Sequence, residues 1–160
     1  MEIHEAASIF PLDEDSIQEI AADIKKYGLK VPIETLDGKV IDGRRRWAAC
    51  QKAKVTPTFK AIMTDDPVAY VVSANLSGKN LSISQLSMCA GRAWDLSERH
   101  HRHERRKGSG DRNGLITKMH SRDAAGVAFG ISGRSVGAAR RVLAQGVPEL
   151  VDAVDQGKIP

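Results

Sequence analysis

The sequence predicts an α+β protein in two parts, a mixed N-terminal domain over 1–80 and an all-helical domain over 81–160. Three observations predict it. Short apolar runs with period two occur only before residue 64, framed by segments of helical period. Beyond residue 81 only helical patterns and their caps remain. Charge is also divided: 1–98 carries 12 Lys/Arg against 14 Asp/Glu, whereas 99–146 carries 11 against 3, a net of +8 within a chain of net +4. Such asymmetry points to a region that meets a polyanion, with a solvated charged face as the alternative.

In the first part, Ser16-x-x-Glu19 reads as a capping box, and Ile17, Ile20, Ala21 and Ile24 follow at helical spacing. Gly28 offers the helix its stop. Val31–Leu36 reads as a strand, Asp37-Gly38 as a two-residue hairpin turn, and Lys39-Val40-Ile41 as the returning strand. Arg44–Ala53 is rich in helix formers. Val55–Met63 reads as a strand whose Pro57 puts its start near an edge, and Pro67 opens a helix to about Asn75.

In the second part, Ser82-x-x-Gln85 is a capping box opening a helix to about Glu98. The basic stretch 99–114, punctuated by Gly108, Gly110 and Gly114, reads as a linker or loop. Ser121 caps a helix from Arg122 to Phe129, Ser132 caps another ending before Gly146, and Pro148 opens a last one ended by Gly157.

Several functions are set aside at this level. No apolar run is long enough for a membrane-spanning helix, and the acidic start lacks the apolar stretch of a signal peptide. Cys50 and Cys89 are far apart, which suggests neither a disulfide framework nor a zinc site and fits a reducing cytoplasm. His100, His101 and His103 with Glu104 read as a solvated polar run, and no metal is expected. Trp47 and Trp94 read as helix-face core aromatics, and Cys89 as an inert core thiol.

The segment 122–141 has the makings of a helix-turn-helix. Ala125 and Gly126 supply a small crossing and Gly130 the turn, while Phe129, Ile131, Val136 and Ala139 supply the apolar contacts. The start of its second helix then presents Ser132, Gly133, Arg134, Gly137 and Ala138, with Arg141 one turn on, as candidate DNA contacts. A plain helical hairpin is the alternative. A second motif, Asp42-Gly43-Arg44-Arg45-Arg46, places a glycine and three arginines at a strand-to-helix junction. Free N–H groups and guanidinium groups there suit a phosphate, and a solvated basic helix start is the alternative.

At these residues the chain resembles the ParB/sulfiredoxin superfamily, in particular ParB-like proteins of plasmids and mobile elements. The family's Gly-Leu-x-x-Pro-Ile segment matches Gly28-Leu29-Lys30-Val31-Pro32-Ile33. Its Gly-Glu-Arg-Arg-x-Arg-Ala box is similar to Gly43-Arg44-Arg45-Arg46-Trp47-Ala48-Ala49. A third segment resembles Ala74-Asn75-Leu76-Ser77-Gly78-Lys79-Asn80-Leu81. The resemblance implies a ParB/sulfiredoxin-like N-terminal domain followed by a DNA-binding helical domain. It implies CTP with magnesium as ligand, held by Gly43, Arg45, Arg46 and Asn75.

Its box glutamate is Arg44 here, and Ala74 and Gly78 replace an acidic residue and an arginine. Losing a carboxylate removes a metal ligand and a water-orienting group, so weak hydrolysis at most is expected and no catalytic residue is assigned. The sulfiredoxin cysteine would fall at Arg44. The implied role is partition or transcription control on double-stranded DNA. A nucleotide-dependent enzyme (CTPase, kinase or nuclease) is the alternative, with Asp42, Glu34 or Asp37 as its carboxylate. The chain ends without the terminal dimerisation segment of many ParB proteins, which leaves a homodimer through 1–98 or a fragment of a longer protein as expectations.

Overall fold

A computed structural model describes residues 1–78, 80–107, 119 and 121–159. The chain forms two compact units, Met1–Pro67 and Val68–Pro160, and all but the first residue of the helix opened by Pro67 lies in the second.

The first unit is α+β. A short 3-10 turn, Glu5–Ile9, buries Ala6, Ile9 and Phe10, an element that sequence periodicity is too short to reveal. Helix α1 covers Asp15–Tyr27. Its start corrects the expected capping box. Ser16 lies inside the helix, its N–H donates to the Asp13 carboxylate at 3.3 Å and its hydroxyl donates to the Asp13 carbonyl at 3.0 Å. The aspartate wins because it is an equally good cap acceptor three residues earlier. The backbone N–H of Ser16 holds the Asp13 carboxyl below its usual range.

Strands β1 (Ile33–Leu36) and β2 (Lys39–Asp42) pair antiparallel across Asp37 and Gly38, with φ of 49° and 75°. Two positive φ values in a two-residue loop are what the Asp-Gly pair favours. Helix α2, Arg44–Ala53, then crosses over to β3, Phe59–Ala61, which lies parallel to β1 in a sheet of order β2-β1-β3. The third strand is three residues of the expected Val55–Met63, and it is an exposed edge. Ile17, Ala21 and Ile24 of α1 close on Ala49 and Cys50 of α2, with Ile20, Leu29, Ala48, Ala53 and Val55 around them. Burial raises the pKa of the Cys50 thiol.

The second unit opens with α3, Pro67–Leu76. Helix α4 covers Ile83–Lys107, and its capping box is formed as expected: Ser82 N donates to Gln85 Oε1 at 2.9 Å and Gln85 N to Ser82 Oγ at 3.2 Å. The helix does not stop near Glu98. Residues 99–107 contain His, Arg, Glu and Lys but neither glycine nor proline, so nothing ends it there. The expected loop is therefore corrected over that stretch, while Gly108, Gly110 and Gly114 lie outside the described residues.

Helices α5 (Arg122–Phe129), α6 (Gly133–Gln145) and α7 (Pro148–Asp155) pack on α4. Met88, Ala139 and Val154 join with Val142, Leu143 and Val151 as a core shared by α4, α6 and α7. Arg92 grips Asp155 through both carboxylate oxygens at 2.9 and 2.6 Å, and Gln85 Nε2 donates to the Asp155 carbonyl at 2.8 Å, which fastens α7. Among the described residues no helix is long and apolar enough to cross a membrane.

Candidate functional site

Helices α5 and α6 meet across a short turn. Ser121 accepts a hydrogen bond from Ala124 N at 3.2 Å and Ser132 accepts one from Ser135 N at 3.1 Å, so both helices carry the side-chain caps their sequences imply. Gly130 turns the chain at φ 67°. Gly126 is where the turn crosses the helix: a methyl group there would lie 2.8 Å from the Ile131 carbonyl and 3.0 Å from Gly133 N. Ala125, Phe129, Val136 and Ala139 are buried.

The surface of α6 follows from that packing. Ser132, Arg134, Ala138 and Arg141 are exposed, and positions 134, 138 and 141 form one stripe at spacings of four and three. Neither Arg134 nor Arg141 makes a hydrogen bond or ion pair among the described residues. The two glycines of the candidate set are placed differently. A methyl group at Gly133 would overlap the Asp123 carboxylate, and one at Gly137 would lie 3.2 Å from Arg122 Cδ. Both accommodate α5 side chains, and Arg122 thereby joins the basic border of the stripe. The signal that sequence reasoning passed over was a glycine inside a helix with no turn to make, which marks something crossing above it.

The arginine motif sits at the N-terminus of α2. Gly43 occupies the left-handed region at φ 90°, and no side chain caps the helix. Each arginine reaches back to a different segment. Arg44 donates to the Phe10 carbonyl behind the N-terminal turn. Arg45 donates to Ser16 Oγ at 3.2 Å and lies 3.6 Å from Asp13. Arg46 donates to Asp42 Oδ2 at 2.7 Å and to the Val31 and Pro32 carbonyls at 3.2 and 3.0 Å.

This arrangement bears on a bound phosphate. The uncapped N–H groups of α2 and the positive end of its dipole suit an anion. Arg45, 37% exposed and held by long contacts, is free to turn toward one; Arg46, 23% exposed and spent on three oxygens, is not. The Asp42 carboxylate is occupied by Arg46, which leaves it poorly placed as a magnesium ligand. Asn75, the fourth residue of the set, lies on α3 in the other unit and donates to the Val71 carbonyl at 3.1 Å. Among the described residues no three His, Cys, Asp or Glu side chains converge as a metal site would require.

No family model matches this chain, and no curated protein matches it. Among solved structures it is similar to the C-terminally truncated chromosome-partitioning protein ParB from Caulobacter crescentus complexed with CTP-gamma-S. The similarity has 19% identity and a TM-score of 0.38, and it covers 92% of this chain and 76% of that one.

Proposed function

We propose that this chain binds double-stranded DNA, with α5 and α6 acting as a helix-turn-helix whose second helix enters the major groove. The carrying observation is the exposed stripe of Arg134, Ala138 and Arg141 on a capped helix, inside a stretch of net +8. An arginine at the start of such a helix can bond two acceptors of a guanine, and Ser132 lies beside it. Gly133 and Gly137 belong to the same interface by keeping the helix surface low under Asp123 and Arg122. Two copies of the chain would read paired half-sites, since one such helix covers a short footprint. The motif resemblance to ParB-like proteins supports a role in partition or transcription control, on a ParB/sulfiredoxin-like N-terminal unit.

Binding measured between 50 and 200 mM salt on selected and random duplexes tests this. Affinity should fall steeply with salt as phosphate contacts are lost. Arg134→Ala should cost about 1–3 kcal/mol on the selected duplex, and less on random DNA. Equal losses on both would make Arg134 a phosphate contact only. No binding by the wild-type chain at low salt would overturn the proposal.

A second reading concerns the N-terminal unit and is favoured by the uncapped α2 start beside a half-exposed Arg45. Here Gly43 and Arg45 receive the phosphates of a nucleotide such as CTP, with Arg46 holding the loop that presents them. Asn75 is the further ligand the resemblance implies, and hydrolysis is weak at most. Calorimetry with CTP should give a heat of binding that Arg45→Ala removes. A signal unchanged in that variant would end this reading.

A further inference from the structure

Helices α4 and α6 come close at Gly91. A methyl group there would lie 3.1 Å from Leu143 Cδ1 and 3.4 Å from Arg140 N, so the absent side chain lets the α6 backbone settle on α4. Trp94, Asp95 and Glu98 follow Gly91 at spacings of three, four and seven, which puts all four on one side of α4. That side receives Arg140. Its guanidinium carbon lies 3.9 Å from the centre of the Trp94 ring, and its nitrogens lie 2.5 Å from Asp95 and 2.8 Å from Glu98. Arg141, its neighbour in sequence, is exposed and makes no such bond among the described residues. Two adjacent arginines thus have opposite assignments.

We propose that Asp95 and Glu98 hold Arg140 away from DNA and fix the rotation of α6, making these residues and Trp94 a specificity-determining clamp. The inference rests on the proposed DNA binding through α6. A surface arginine free to move takes a phosphate on any sequence and so raises affinity without discrimination. Arg140 is withheld from that role, because its charge is already met by two carboxylates and its plane by an indole. Base readout needs the helix held within a fraction of an ångström, and a planar fork gripped from two sides supplies that. Arg140 is a positioning residue and Arg141 is a contact.

The 160-residue chain is measured against a duplex selected from a random library and against random duplex of equal length, over a series of salt concentrations. The paired Asp95→Asn and Glu98→Gln change keeps side-chain shape and frees Arg140. Affinity for random duplex should rise several-fold, the salt slope should steepen by about 0.9 as one further phosphate is met, and the ratio of selected to random binding should fall about tenfold. Arg140→Ala should lower the same ratio while leaving random binding and its slope unchanged, and Arg140→Lys should recover part of the ratio. Arg141→Ala should instead weaken random binding and flatten the slope.

In a Trp47→Phe background, emission from Trp94 reports whether the guanidinium has left the ring and should shift in the paired variant. Circular dichroism melts check folding; if Arg140→Ala does not fold, the isosteric paired variant decides. A paired variant with wild-type slope and discrimination overturns the clamp. So does an Arg140→Ala loss that mirrors Arg141→Ala. Absence of any DNA binding by the wild-type chain overturns the DNA reading and the clamp with it. Wild-type binding without these variant effects overturns the clamp alone.

Discussion

Replacing Gly126 with valine is expected to separate α5 from α6 and to abolish sequence-selective DNA binding. Two effects oppose each other at this helical position. Any side chain recovers part of the roughly 1 kcal/mol that glycine costs in a helix interior. Against it stands a Cβ placed 2.8 Å from the Ile131 carbonyl, 3.0 Å from Gly133 N and 3.2 Å from Ser132 C, all of them backbone atoms of the turn. Backbone cannot change rotamer to make room, and overpacking of this kind costs about 1–3 kcal/mol for one methyl and more for a branched side chain. The steric cost wins, and Gly126→Val should destabilise the second unit by about 3 kcal/mol or more. Gly137→Ala is the matched contrast. The new methyl would meet the flexible Arg122 side chain at 3.2 Å, so the propensity gain should leave stability within about 0.5 kcal/mol of wild type or above it. Thermal melts of both variants check the pair, and comparable losses would show that the Gly126 crossing is not tight.

The same positions show which parts of the structure were legible in the sequence. The hairpin at Asp37-Gly38, the box at Ser82/Gln85 and the cap at Ser132 were readable because each is closed by residues a few positions apart. The α5–α6 crossing was readable for the same reason. Ser16 misled because Asp13 offers the competing cap, and both patterns fit the local sequence. The extension of α4 through 99–107 was hidden by the glycines that follow, which lent a loop-like character to residues that are themselves good helix formers.

The long-range partners were not legible at all. Nothing near Arg44, Arg45 or Arg46 announces that their acceptors lie 34, 29 and up to 15 residues away, on carbonyls and hydroxyls that every sequence contains. Nor does Arg140-Arg141 reveal which of the two faces α4. That depends on the phase of α6 against Gly91, which the apolar residues set only to within one helical position.

The arginine motif carries the second large effect. Arg46→Ala should destabilise the first unit by about 1–3 kcal/mol, the cost of leaving the part-buried Asp42 carboxylate and Pro32 carbonyl, and the exposed Val31 carbonyl, without their charged donor. Its guanidinium joins Asp42 at the end of β2 to the Val31 and Pro32 carbonyls that lead into β1. Both strands are only four residues long, so this bridge closes the hairpin where the ladder has few bonds of its own. It also lies against Gly43, where a methyl group would come within 3.0 Å of the guanidinium. Arg46 therefore also supports the backbone that presents the α2 N-terminus. Arg46→Lys keeps one ion pair with Asp42 but lacks the fork that reaches three oxygens, and it should recover less than half of the loss.

Arg45→Ala gives up only long, half-exposed contacts and should cost about 0–1 kcal/mol. Urea unfolding of the three variants measures the ranking, with Arg46→Ala lowest, Arg46→Lys between and Arg45→Ala near wild type. If Arg45→Ala proves the more damaging, Arg46 is not the strut that its bonds to Asp42, Val31 and Pro32 make it. The division of labour within the motif, Arg46 for the fold and Arg45 for an anion, would then be reversed.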